Sequence, residues 1–169
     1  MYAAMFRQMH KQLGQLDGWL EAADAFAKAK SFGPEIFLGF RLAPDQFAFG
    51  RQVQITCDTV KLAAARLAGK DAPAHPDTEQ TLEELRTRVA TTRSFLADLN
   101  DADFDDAATR EITQPRWEGK IMSGADYFLE HSVPNFYFHL AHAYAILRHN
   151  GVAIGKRDYL GPLSQRMPA

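Results

Sequence analysis

The chain has a single cysteine, Cys57, among 169 residues. An internal disulfide is therefore excluded, and the composition suits a reducing cytoplasm, which is the expected location. Helical spacing places Cys57 among apolar neighbours with only Lys61 nearby, so it reads as a packing residue and not as a nucleophile. No uninterrupted apolar run reaches the roughly 18 residues that a membrane span needs. Arg7 and Lys11 interrupt the apolar character of MYAAMFRQMHKQL, which argues against a signal peptide. There is no excess of positive charge either: 19 Lys and Arg against 21 Asp and Glu give a net charge of −2. A nucleic-acid binder normally shows a basic stripe, and none is visible. GVAIGK lacks the spacing and the following helix of a phosphate loop, and no serine sits on a nucleophile elbow. Asp and Glu are scattered, without the paired inward placement of general acid–base catalysis.

What is present is helical periodicity. With 46% apolar and 24% charged residues, the chain reads as one ordinary globular domain spanning 1–169. Tyr2, Met5, Phe6, Met9, Leu13, Leu16, Leu20, Ala23 and Ala27 define a first helix to about Lys30. A connection with the breakers Gly33, Pro34, Gly39 and Pro44 leads to a second helix over Asp45 to Ala68. Phe49, Val53, Thr56, Cys57, Val60, Ala64 and Leu67 form its inner face, with Gln52 at the edge. Gln54, Asp58 and Lys61 are expected to point outward. His75 reads as a solvated residue of the linker Gly69 to Asp77. Asp77 with Gln80, or Thr78, offers the N-cap of a third helix whose seam is Leu82, Leu85, Val89, Leu96 and Leu99. Its charges, including Glu79, Glu83, Glu84, Arg86, Arg88 and Arg93, read as a solvated face.

A loop-like acidic stretch, Asn100 to Arg110, precedes a short hairpin expected within Glu111 to Ser123. Ser123 with Asp126 is a capping pattern for a short helix that His131 is expected to end. Pro134 then breaks or kinks the chain. The last helix, PNFYFHLAHAYAILRHNG, runs from Pro134 to Gly151. Four long amphipathic helices with modest connections predict an all-α four-helix bundle with an irregular or hairpin insertion before the last helix.

A bundle builds its sites from inward side chains on facing helices. His139 lies in the stripe of Phe136, Leu140, Ala143, Ile146 and Leu147, with Asn135 one turn earlier. Gln52 is their counterpart on the second helix, and His10 is a weaker addition at the edge of the first. His139 and His142 have a three-residue spacing but point about 60° apart at roughly 3.6 residues per turn. Imidazole suits zinc, nickel, copper or iron, whereas carboxamides are weak ligands for them. The residues leave three readings open: a buried hydrogen-bond network, a small-molecule pocket, or a metal held through His139. On the other side of the last helix, Tyr137, Ala141, Tyr144 and Arg148 align, to be covered by a second copy of the chain or by Val152 to Leu163. A homodimer is the expectation.

PNFYFH, AYAILRHNGV and GKRDYLG, with RLAPDQF and RQVQ earlier, resemble the DUF1993 family of bacterial proteins of unknown function, within the DinB/YfiT-like superfamily. The resemblance runs nearly end to end. It implies a DinB-type four-helix bundle, often dimeric, and some superfamily members are metal-dependent thiol transferases or hydrolases. Their metal is typically held by one histidine on the second helix and two spaced HxxxH on the fourth. Only His139 matches that set; Asn135 stands at the earlier fourth-helix position and Gln52 near the second-helix position. The expectation is a non-catalytic protein with a degenerate inward polar site at Gln52, Asn135, His139 and His142 that takes a small ligand. The alternative is a metal-dependent transferase or hydrolase using His139, with zinc or nickel.

Overall fold

The computed structural model describes residues 1–168. Helix α1 (Tyr2–Ala29) packs chiefly against α3 (Leu82–Ala97), and α2 (Phe49–Ala68) against α4 (Val133–His149). Helices α2 and α3 also meet, which leaves α1 and α2 on a diagonal of the bundle. The seams expected from sequence form one continuous core. Met9, Leu13, Leu16, Phe49, Val53, Leu85, Val89, Phe136, Leu140 and Leu147 are all fully buried. The connection after α1 contains a 3₁₀ helix, Pro34–Gly39, that buries Phe37 under Phe26 and Phe32.

Strands β1 (Glu111–Ile112) and β2 (Met122–Ser123) pair antiparallel, forming the expected hairpin. Ser123 caps the following turn, Gly124–Asp126, through its Oγ, which accepts from the Asp126 N–H at 3.1 Å. Gly124 is required there: a Cβ would come within 1.8 Å of the Ala107 carbonyl oxygen.

The chain does not break at Pro134, as its sequence suggests. Instead a π-helical stretch, Tyr127–Ser132, joins the turn to α4 without interruption. The Val133 N–H reaches back five residues to the Phe128 carbonyl, and the Ser132 hydroxyl donates to the Tyr127 carbonyl at 3.1 Å. A proline lacks the donor and clashes with the carbonyl four residues earlier. Widening the preceding turn accommodates both defects. His131 is consequently an interior residue of this stretch and not a helix terminus.

After α4, the tail folds a short helix α5 (Lys156–Leu160) against α1. The Tyr159 ring stacks on Trp19 and meets Tyr144 edge-on, and the Trp19 Nε1–H donates to the Asp158 carbonyl. The chain's own tail therefore covers Tyr144 on that side of α4, while Ala141 and Arg148 on the same side stay exposed.

The largest departure from expectation lies between α2 and α3. Arg88, expected on a solvated face, is buried. Its guanidinium reaches Asp58 and Asp77 at 2.7 Å each and Glu79 at 2.8 Å. Lys61 and Gln54 are buried too, and His75 is folded in from the linker. Lys61 Nζ lies 3.0 Å from both Asp58 and His75 Nδ1, Gln54 donates to Glu79 at 2.8 Å, and Arg51 donates to Asp77 at 2.6 Å. Three cations, Arg51, Lys61 and Arg88, face three carboxylates, Asp58, Asp77 and Glu79, so the charges of the network balance. Asp77, with φ 56°, turns the linker so that its carboxylate enters the network, and the N-cap of α3 falls later, at Thr81. Thr81 and Glu84 form a reciprocal capping box. Cys57, beneath the network, has its thiol pushed up to about 12 by burial. It is inert, as expected.

Replacing Arg88 would leave Glu79 without a cation and Asp58 and Asp77 with one each, and removing one partner of such a buried set costs about 3–5 kcal/mol. Arg88→Met is expected to lower the urea midpoint accordingly. Arg88→Lys should not restore it, because an ammonium lacks the planar fork that serves three acceptors. Equal stability of Arg88→Lys and wild type would contradict this account.

Candidate functional site

Gln52 occupies the first turn of α2 and His139 the second turn of α4, and the two helices are packed so that these side chains meet. The His139 Nδ1 to Gln52 Oε1 distance is 2.7 Å, and both residues are buried. The other end of the Gln52 amide donates from Nε2 to the Phe47 carbonyl at 3.1 Å. A carbonyl only accepts, so the amide orientation is fixed: Nε2 faces Phe47 and Oε1 faces the imidazole. His139 Nδ1 must then be the donor, and its Nε2 keeps a free lone pair. Burial holds this imidazole at a pKa of about 4, with further lowering from His142 and from the Arg51 charge. At neutral pH the ring is uncharged.

The sequence-derived candidates do not all converge. Asn135 is a turn away, where its Nδ2 donates to Thr59 Oγ1 at 2.7 Å, forming a separate tie between α4 and α2. His142 lies on the outer side. Its Nδ1 donates to the Phe138 carbonyl at 2.7 Å, and its Nε2 accepts from Gln46 at 3.2 Å, so both nitrogens are committed. His10, on α1, sits partly buried beside Arg93 of α3, within neither group. A cleft of about 230 Å³ opens above Gln52 and His139, lined also by Asp45, Gln46, Phe47 and Phe138. Phe47 and Phe138 are large apolar side chains left exposed at its mouth, at 56% and 52%. Sequence reasoning missed Gln46 and Phe47, because the second helix begins at Phe49 and leaves the preceding residues as a loop over the cleft.

The model of the family "Domain of unknown function (DUF1993)" matches residues 1–160. The chain belongs to this family. A crystal structure of a DinB family member from Shewanella denitrificans has the same fold, with a TM-score of 0.92 and 48% sequence identity. The match covers 96% of this chain and 93% of that one. No curated protein matches the chain. The superfamily resemblance therefore holds for the fold, and its three-histidine metal centre can be tested against the residues of this DUF1993 chain. They do not fit it. The Gln52 oxygen is occupied by the imidazole, Asn135 by Thr59, and His142 by its two hydrogen bonds. Among the described residues no group of three or more His, Cys, Asp or Glu side chains is placed to hold a metal ion. One imidazole nitrogen, His139 Nε2, is left facing the cleft.

The relay from Phe47 through Gln52 to His139 makes a direct prediction. In a nitrogen-resolved NMR titration, His139 should remain the neutral Nδ1–H tautomer from pH 8 down to near pH 4. The unfolded ring takes up its proton near pH 6.5, so stability contributed by this residue is lost as pH falls from about 6.5 to about 4, and is complete above that window. Gln52→Leu, which leaves the Nδ1–H without an acceptor, is expected to cost roughly 1–3 kcal/mol. Titration of the wild-type ring near 6.5 would show that the relay does not form.

Proposed function

We propose that this DUF1993 protein is a non-catalytic binding protein whose cleft at His139 takes a small ligand with an apolar body and a hydrogen-bond donor, best an amine. The observation that carries this reading is the uniform polarity of what the cleft offers. His139 Nε2 is a lone pair. Gln46 turns its amide nitrogen toward His142, giving it one of its two N–H groups, and leaves its Oε1 as a buried acceptor without a partner. Asp45 adds an exposed carboxylate at the rim. All three are acceptors, and all three call for a donor. The rings of Phe47 and Phe138 supply apolar walls, and an aromatic face also attracts a cationic nitrogen. Arg51, whose charge is felt at His139, is paired with Asp77.

The absence of a set of activated groups supports binding over turnover. His139 is too weak a base at neutral pH to be poised for proton transfer, since efficient general bases titrate near the working pH. The lining residues described for the cleft include no serine, threonine or cysteine, and Cys57 is buried with a raised pKa.

Calorimetry or NMR with a panel of aromatic and aliphatic amines, beside their carboxylate counterparts, tests the proposal. Amines are expected to bind saturably and to shift the His139 ring, and the matched carboxylates are not. Phe138→Ser and His139→Phe should each weaken binding at least tenfold. Saturating turnover of a thiol or ester substrate would overturn it. So would stoichiometric zinc or nickel that co-purifies and is lost in His139→Ala, a result that favours the metal-dependent transferase or hydrolase.

A further inference from the structure

A second cleft lies farther along the α2–α4 interface, beyond the Asn135–Thr59 tie, where the β1–β2 hairpin and the π-helical stretch close over α2. It encloses about 130 Å³, and its lining includes Arg66, Gln114, Arg116, Tyr127, His131 and Asn135. Two arginines, Arg66 and Arg116, line it. Arg66 Nη1 donates to the Tyr127 hydroxyl at 2.9 Å, and Arg116 Nη2 donates to His131 Nε2 at 2.6 Å. The Tyr127 and His131 rings are stacked with centroids 5.4 Å apart, so the two arginines are hydrogen-bonded to neighbouring rings. Neither arginine takes part in an ion pair among the described residues. The acidic group in the lining, Asp58, is already engaged by Arg88 and Lys61.

The remaining polar atoms point the same way. Arginine can only donate, so His131 Nε2 accepts and the proton of the neutral ring sits on Nδ1. That Nδ1–H is buried without a partner, and so is Gln114 Nε2, on a side chain 9% exposed. Buried donors without acceptors are rare in folded proteins and carry a cost of about 1–3 kcal/mol each. Two unpaired guanidiniums beside two orphaned N–H groups are the complement of an oxyanion.

We propose that this cleft is a binding site for the oxyanion group of a small molecule, a carboxylate or a phosphate, held between Arg66 and Arg116 with His131 and Gln114 completing its hydrogen bonds. The volume admits such a group with little more attached, so the rest of a larger ligand would extend outward past Arg116, which is exposed. This site is separate from the cleft at His139, and its chemistry is opposite: donors here, acceptors there.

Inorganic phosphate and acetate, each titrated at constant ionic strength against a chloride control, are the probes. The Trp117 ring lies edge-on to His131 with centroids 6.0 Å apart and serves with His131 as the NMR reporter. Saturable shifts at both residues are expected with phosphate, with acetate, or with both; the anion that saturates at the lower concentration identifies the oxyanion class. Affinity should fall at least tenfold in Arg116→Gln and in Arg66→Gln, and should be unchanged in Arg41→Gln, which removes a distant exposed arginine. Arg116→Gln keeps the test falsifiable if Arg66→Gln fails to fold, since Arg116 is on the surface. No saturable shift with either anion would overturn the proposal, as would unchanged affinity in Arg116→Gln. The amine panel reads the other cleft, so failure at one leaves the result at the other intact.

Discussion

The hydrogen bond between Gln52 and His139 fixes how α2 and α4 face each other. Helices that meet only through apolar side chains can slide by a turn at modest cost, whereas a buried amide–imidazole pair has one satisfied register. The Phe47 carbonyl extends the constraint into the loop before α2, so one short chain of donors and acceptors sets the helix register, the loop position and the ring tautomer together. The Asn135–Thr59 bond repeats the device farther along the interface. What is left over from these ties determines the chemistry of each cleft: a lone pair on His139 Nε2, and N–H groups around His131.

Charge plays the corresponding part between α2 and α3. Arg88 needs three carboxylates to be tolerated in the interior, and they come from three places: Asp58 on α2, and Asp77 and Glu79 on the linker before α3. The linker is thereby held down by electrostatics, with His75 enclosed under it. A buried ion pair is weak evidence for stability in itself. Here its consequence is geometric, because it fixes where α3 begins.

Apolar periodicity made the bundle legible in the sequence. The seams of α1, α2, α3 and α4 contain the residues that prove fully buried, and Ser123 with Asp126 announced the turn that precedes α4. The pairing of Gln52 with His139 was also within reach, since both lie on or beside inward stripes. The polar interior was not. Arg88, Lys61, Gln54 and His75 occupy positions whose residue types belong on a surface, and their burial depends on partners that mostly lie on another element, 9 residues away for Arg88 and Glu79 and 25 for Gln54 and Glu79. Periodicity carries no information about such long-range pairing. The N-cap of α3 differs from the sequence expectation for the same reason. Asp77 looks like an N-cap, but Arg88 and Arg51 claim its carboxylate, and Thr81 takes the role.

The π-helical stretch before α4 is where a local defect acquires a use. Pro134 requires a wider turn ahead of it, and the extra residue per turn rotates Tyr127 to Ser132 relative to where an α-helix would put them. In that setting Tyr127 and His131 stack and face Arg66 on α2 and Arg116 beside the hairpin. With regular α-helical winding the same ring would project elsewhere on the helix, and the two arginines would lose their common partner surface. π-bulges are frequent at functional sites because the widened turn re-aims side chains without breaking the helix. The unpaired donors collected around this one, His131 Nδ1 and Gln114 Nε2, are the part of its surroundings that packing leaves unsatisfied, and the proposed oxyanion site rests on them.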